Sequence, residues 1–254
     1  MNLIEKEQKD AAQYKLRTNK DGLLDLTRAN VALVEAMIAN DSDYIRSGDV
    51  DAGPTGAYKG STAYWMTKLK YDILSKANSL KNTIMQAVLA VDRDNSTHIS
   101  ADGIGPEVLT ARIYDHRFTL LEELKDRERG FKLIAELSEI TSKEGSIIKN
   151  GKAYHPRENY SFATKFCHYA CLYMFVGKTE QDNYSIYDNI VKKALPDYLS
   201  SYNIHKADGK KYKESDFKGS DSYPLYSRLI DQVRGDKISR NGFDHLLWYY
   251  HKAR

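Results

Sequence analysis

The sequence predicts an all-α fold with one small β-hairpin near residues 146–154. Three observations carry this reading. Apolar residues recur at three- and four-residue spacing over long stretches, the signature of amphipathic helices. One short segment alone, Ser146 to Tyr154, reads as strand. There is no internal repeat or low-complexity tract that would suggest a solenoid or a disordered array.

Taken in chain order, a first helix is expected to open at Asp21-Gly22 and to carry Leu23, Leu26, Leu33, Val34, Met37 and Ile38 on its apolar face. From Asp41 to Gly60, glycines and Pro54 mark a loop. Ser61 is placed to cap a second helical stretch bearing Trp65, Leu69, Ile73, Leu74, Ile84, Val88, Leu89 and Val91, with a break near Ala77-Asn78-Ser79. Asp92 to Pro106 is polar and reads as loop. Helices resume from Glu107 to about Lys143, with Gly130 as the expected break.

The strand signal is Asn150-Gly151 between two short runs, the pair that a type I′ hairpin turn favours. Helices follow near Ser161–Phe175 and Ile186–Leu199. A polar loop covers Tyr202–Ser222, and two last helices fall near Pro224–Val233 and Ser239–Lys252.

A chain of 254 residues fits one large domain or two fused subdomains. The expectation is a single helical domain over 1–254, with subdomains at 1–95 and 96–254. Hydrophobic residues make up 41% and charged residues 29%, enough for a core and too balanced for disorder. The net charge of +3 permits a nucleic-acid partner without demanding one, so local clustering must decide. From Lys143 to Lys178 six basic residues (Lys143, Lys149, Lys152, Arg157, Lys165, Lys178) face two acids, Glu144 and Glu158. That surplus suits a phosphate-facing surface. The lysines of the 202–222 loop are offset by Asp208, Glu214 and Asp216 and carry little weight.

The N-terminus lacks the apolar stretch of a signal peptide, and no window approaches the roughly 18 apolar residues of a membrane span. A cytoplasmic protein with no membrane partner is expected. Cys167 and Cys171 lie four apart in an apolar run beside His168. Two thiols and one imidazole make an incomplete metal set, so they read as buried thiols, with no metal.

Asp102-Gly103-Ile104-Gly105-Pro106 invites comparison with glycine-rich phosphate loops. No βαβ pattern surrounds it. A glycine-rich turn with Pro106 in the first turn of a helix accounts for it more simply.

Two segments carry chemistry. In Glu158-Asn159-Tyr160-Ser161-Phe162-Ala163-Thr164-Lys165-Phe166-Cys167-His168-Tyr169, the aromatic residues Phe162, Phe166 and Tyr169 form a helical stripe with Lys165 beside it. A lysine partly desolvated there would have a lowered pKa and act as an amine nucleophile; a lysine that merely snorkels to water is the plainer alternative. In Tyr184-Ser185-Ile186-Tyr187-Asp188-Asn189-Ile190-Val191, Asp188 precedes a helix and reads as its N-cap. A carboxylate fixed in that way can also stabilise a cationic sugar.

Together these segments resemble the helix-hairpin-helix DNA glycosylase superfamily, most closely its 8-oxoguanine DNA glycosylase-like branch. The resemblance covers Glu158 to Leu195. Thr164-Lys165 falls on the family's lysine, and Ile186-Tyr187-Asp188-Asn189-Ile190-Val191 on its aspartate segment, 23 residues on. Asn159-Tyr160-Ser161-Phe162 stands where the family carries its hairpin glycines, and Ile190 where it carries a histidine.

The resemblance implies a helix-hairpin-helix glycosylase-like fold and a DNA glycosylase with AP lyase activity. The partner would be double-stranded DNA containing an oxidised or hypermodified base, flipped out before excision. Lys165 would form the Schiff base and Asp188 would stabilise the sugar cation. Asn159, Ser161, Thr164, Asn189, Lys152 and Arg157 would contact DNA. His245, Trp248 and Tyr249 on the last helix would wall the base pocket. No cofactor or metal is implied, and a monomer is expected. The alternative reading is a non-catalytic nucleic-acid-binding helical module, and a third is a helical interaction protein.

Overall fold

The computed structural model describes residues 16–40, 60–95, 97–99, 105–139, 147–149, 152–154 and 158–252, and over these the chain is mainly α-helical. Contacts group it into two units. One comprises residues 1–45, 187–218 and 222–254; the other comprises 46–186 and 219–221.

The second unit begins, among described residues, with helix α2 (Thr62–Leu74), numbered after α1 (Arg28–Asn40) of the first unit. Ser61 caps α2 as the sequence predicts, its side chain accepting from the Tyr64 N–H. A turn at 75–79 leads into α3 (Leu80–Asn95). Asp72 ties the two helices together across that turn. Its carboxylate accepts from Lys68 on its own helix, from Ser79, and from Thr83 on α3 at 2.5 Å. A buried carboxylate so fully met is stabilising where a bare one would be costly.

Then come α4 (Gly105–Asp115), α5 (Leu120–Lys125) and α6 (Arg127–Ser138). Asp126 caps α6 through the Glu128 and Arg129 N–H groups. Two short strands, β1 (Ile147–Lys149) and β2 (Lys152–Tyr154), run antiparallel with Ile147 opposite Tyr154. The Asn150-Gly151 turn lies outside the described residues.

Helix α7 (Tyr160–Met174) organises the unit, packing against α2, α3, α5 and α6. Its sequence explains the position. Phe162, Ala163, Phe166, Cys167, Ala170, Cys171 and Met174 are all buried and share one broad face, which buried Thr164 and His168 extend further round the helix. A buried face that wide seats the helix deep in the core.

The first unit contains α1 (Arg28–Asn40), α8 (Asn189–Ser201), α9 (Tyr223–Arg234) and α10 (Arg240–Lys252). Helix α1 packs on α10, and α8 packs on both α9 and α10. Tyr198 of α8 meets Phe243 of α10 edge to face and donates its hydroxyl to the Leu24 carbonyl. A single-turn 3₁₀ segment, Glu214–Phe217, packs beside α8.

Four expectations are corrected. The first helix opens at Arg28, not at Asp21-Gly22. Residues 16–27 form a turn in which Leu23, Leu24 and Leu26 are buried. The side chain of Asn30 holds that turn by bonding Arg17 and Asp25. Asp92 is not the start of a loop, because α3 continues to Asn95. Gly130 is no break, since it lies inside α6, and the interruptions fall at 116–119 and at Asp126. The divide between units does not fall at residue 95, because α3 packs on α2 before it and on α4 after it.

The Gly105-Pro106 reading as a helix start agrees with the structure, with Asp102–Ile104 outside the described residues. A Cβ on Gly105 would lie 2.5 Å from the Ile99 carbonyl oxygen, so close backbone approach explains that glycine.

Candidate functional site

Lys165 lies in the second turn of α7 and is only 5% exposed. The burial follows from the helix around it, whose neighbouring positions Phe162, Phe166 and His168 are all in the core. Its amine donates to the main-chain oxygen of Asn95, the last residue of α3, at 3.0 Å. The last carbonyls of a helix have no partner within it, and the helix end carries partial negative charge. An ammonium donor is well matched to such an acceptor.

Tyr169, one turn further along α7, donates its hydroxyl to Oδ1 of the same Asn95 at 2.7 Å. Its ring lies parallel to that of Tyr173, with centroids 6.1 Å apart, and meets His168 edge to face. Asn95 therefore takes two bonds from α7, one on its backbone and one on its side chain. Nothing in the sequence flags this residue, which is 70 positions from Lys165.

His168 and both cysteines of α7 also lie within the core. His168 is buried, and its Nδ1 lies 2.8 Å from the Tyr184 carbonyl oxygen. A carbonyl only accepts, so that nitrogen carries the proton. Cys167 and Cys171 are free and buried, as read from the sequence. Burial pushes both thiols well above their ordinary range, with nearby acidic groups adding to the effect. Among the described residues, no three His, Cys, Asp or Glu side chains gather in a way that would hold a metal ion.

Asp188 belongs to the first unit. It is the N-cap of α8, in extended conformation, with Oδ1 accepting from the Ile190 N–H at 2.6 Å. It is 7% exposed. Asn189 follows as the first residue of the helix and is exposed. Because α8 packs on α10, Asp188 shares a unit with the candidate pocket wall. On α10, His245 and Trp248 are half-buried, and His245 Nδ1 stands 3.8 Å from a Glu35 carboxylate oxygen. The side chain of Tyr249 lies outside the described residues.

Of the residues expected to touch DNA, the second unit places Asn159, Ser161 and Thr164 at the start of α7. Ser161 is half-buried. Thr164 is a correction: it is fully buried and its hydroxyl bonds back to the Ser161 carbonyl at 3.1 Å, which leaves no face for a phosphate. Asn159 is also buried and stands at the N-cap of α7, its N–H held by the Ser138 carbonyl. Neither the side chain of Lys152 nor any part of Arg157 falls within the described residues. Lys165, counted in the basic surplus, is inside the protein and adds nothing to its outer charge.

The chain also holds a segment far along in sequence. The carboxylate of Glu158 accepts from the Ser220 N–H, which keeps residues 219–221 with the unit that contains α7. The lysines of the 202–222 loop are engaged as their neighbouring acids predict, Lys206 with Asp216 and Lys210 with Asp208.

Among the described residues no helix is long and apolar enough to cross a membrane. No family model, curated protein or solved structure matches the chain.

Proposed function

We propose that this protein is a DNA glycosylase with AP lyase activity, acting on an oxidised or hypermodified base flipped out of duplex DNA. The observation that carries the reading is the burial of Lys165 on α7, between Phe162 and Phe166 in the core. A lysine kept only for solubility would reach solvent from a position like this one. Desolvation is one way in which a lysine amine is made nucleophilic near neutral pH.

In the proposed reaction the base leaves with the electron pair of the glycosidic bond and takes up a proton. The Lys165 amine bonds to the sugar carbon and loses a proton; its lone pair then breaks the bond from that carbon to the ring oxygen, which takes up a proton, and the opened sugar is left as a protonated imine. Loss of a proton from the neighbouring carbon sends electrons toward that imine and expels the 3′ phosphate, which cuts the strand. Asp188, fixed by the α8 N-terminus, offers a negative charge to the sugar as positive charge builds on it. The helix-hairpin-helix element, the type I′ turn at Asn150-Gly151 and the pocket formed by His245, Trp248 and Tyr249 belong to the same proposal.

A second reading is favoured by one specific observation. Lys165 also closes the end of α3 through the Asn95 carbonyl, a task that needs no chemistry. On that reading the chain is a non-catalytic nucleic-acid-binding helical module. A panel of duplexes, each with one modified base, separates the two. Release of a base from at least one duplex, followed by strand cleavage that Lys165→Gln abolishes, supports the enzyme. Binding to the panel with no base released leaves the binding module.

A further inference from the structure

Resting on the reading of Lys165 as the nucleophile, we propose that Asn95 and Tyr169 form a tether that positions its amine. The amine meets the main-chain oxygen of Asn95 at 3.0 Å, and the Tyr169 hydroxyl meets the side chain of the same residue at 2.7 Å. Lys165 and Tyr169 are four apart on α7, so they lie one above the other on one face and reach the same point on α3.

The two bonds do different work. A lysine has four rotatable bonds, and its amine stays in one place only if an acceptor is itself held still. Asn95 is the last residue of α3, where helices fray. Tyr169 pins its side chain, and the Tyr173 ring stacked on Tyr169 restricts that tyrosine in turn. The path from ring to hydroxyl to amide fixes the carbonyl on which the amine rests. Asn95 and Tyr169 are positioning residues that act through Lys165.

The test uses the full chain and two variants that each break the bond from Tyr169 to the Asn95 side chain while keeping the Asn95 main-chain carbonyl, Tyr169→Phe and Asn95→Ala. The first readout needs no DNA. A brief pulse of acetic anhydride, read by mass spectrometry, compares acetylation of Lys165 with that of exposed Lys178. The tether predicts slow modification of Lys165 in the wild type and a several-fold rise in either variant, with unchanged thermal unfolding. The second readout is single-turnover formation of the borohydride-trapped adduct on abasic-site DNA. That rate should fall roughly tenfold in each variant at unchanged DNA affinity, as for a misplaced reacting group. The double variant should be no slower than either single one, because both changes cut the same connection.

Lys165 acetylation that stays at the wild-type ratio in both variants overturns the tether. So does an adduct rate that falls only in step with unfolding or with DNA affinity. A wild type that forms no adduct overturns the lyase reading instead, and the acetylation ratio still decides the tether on its own.

Discussion

Tyr184 occupies the space that a side chain at residue 130 would need: a Cβ on Gly130 would lie 1.8 Å from the Tyr184 hydroxyl. That hydroxyl donates to the Leu124 carbonyl at 2.9 Å, at the end of α5, and the Asn183 side chain bonds the Leu124 and Lys125 carbonyls beside it. The glycine lets α6 come close enough for this closure. Gly130→Ala is expected to destabilise the unit by about 1–3 kcal/mol through overpacking. Equilibrium unfolding in urea checks it; an unchanged midpoint contradicts it.

Asp72 makes the α2–α3 pair sensitive to acid. Burial alone would raise its carboxyl, but the bonds from Thr83, Lys68 and Ser79 outweigh that effect and hold it below the ordinary value of 3.8. A group depressed on folding contributes stability that is complete above its unfolded value and is lost as pH falls through its folded value. Wild-type stability should therefore drop below about pH 4, the region where unfolded aspartates take up protons. Asp72→Asn should be less stable at neutral pH and lose less on acidification. Denaturation midpoints at neutral pH and in mild acid measure both effects, and parallel curves for the two proteins would contradict the assignment.

Asp188 caps α8, and in the proposed reaction it also faces the sugar; substitution separates the observed role from the proposed one. As the cap of α8 it needs only an acceptor oxygen, which asparagine keeps. As the anion facing a sugar cation it needs its charge. Asp188→Asn should unfold near the wild-type midpoint while base removal slows by about 10²–10³-fold, as when a preorganised electrostatic group is lost. Asp188→Ala should lose about 1 kcal/mol of stability as well. Equal activity in Asp188→Asn and the wild type would leave this residue a cap alone.

Cys167 and Cys171 are enclosed and held as thiols. A thiolate is the reactive form, so a thiol reagent should leave both untouched in the native protein and modify both in denaturant. Prompt native-state modification near neutral pH would mean that the α7 core opens readily.

Much of the fold was legible because helical periodicity is local. The Ser61 cap, the break before Leu80, α7 and the two last helices all follow from residues within a turn or two of each boundary. The misreadings share a cause, which is contact with distant chain. Leu23, Leu24 and Leu26 look like helix, yet they are buried in a turn organised by Asn30. Gly130 looks like a breaker because its partner Tyr184 is more than fifty residues away. Thr164 looks polar beside a lysine, yet its position on α7 turns it inward. The cap at Asp188 was visible in sequence. Asn95 was not, because the bonds it accepts from Lys165 and Tyr169 come from a helix that no local pattern pairs with it.

The central claim is that Lys165 is a Schiff-base nucleophile. Its most direct test is borohydride reduction of the protein mixed with duplex DNA holding one abasic site, which requires no knowledge of the base removed. The account predicts a covalent adduct that maps to Lys165 and disappears in Lys165→Ala. An adduct that persists in Lys165→Ala, or its absence from wild-type protein that binds the duplex, would contradict it.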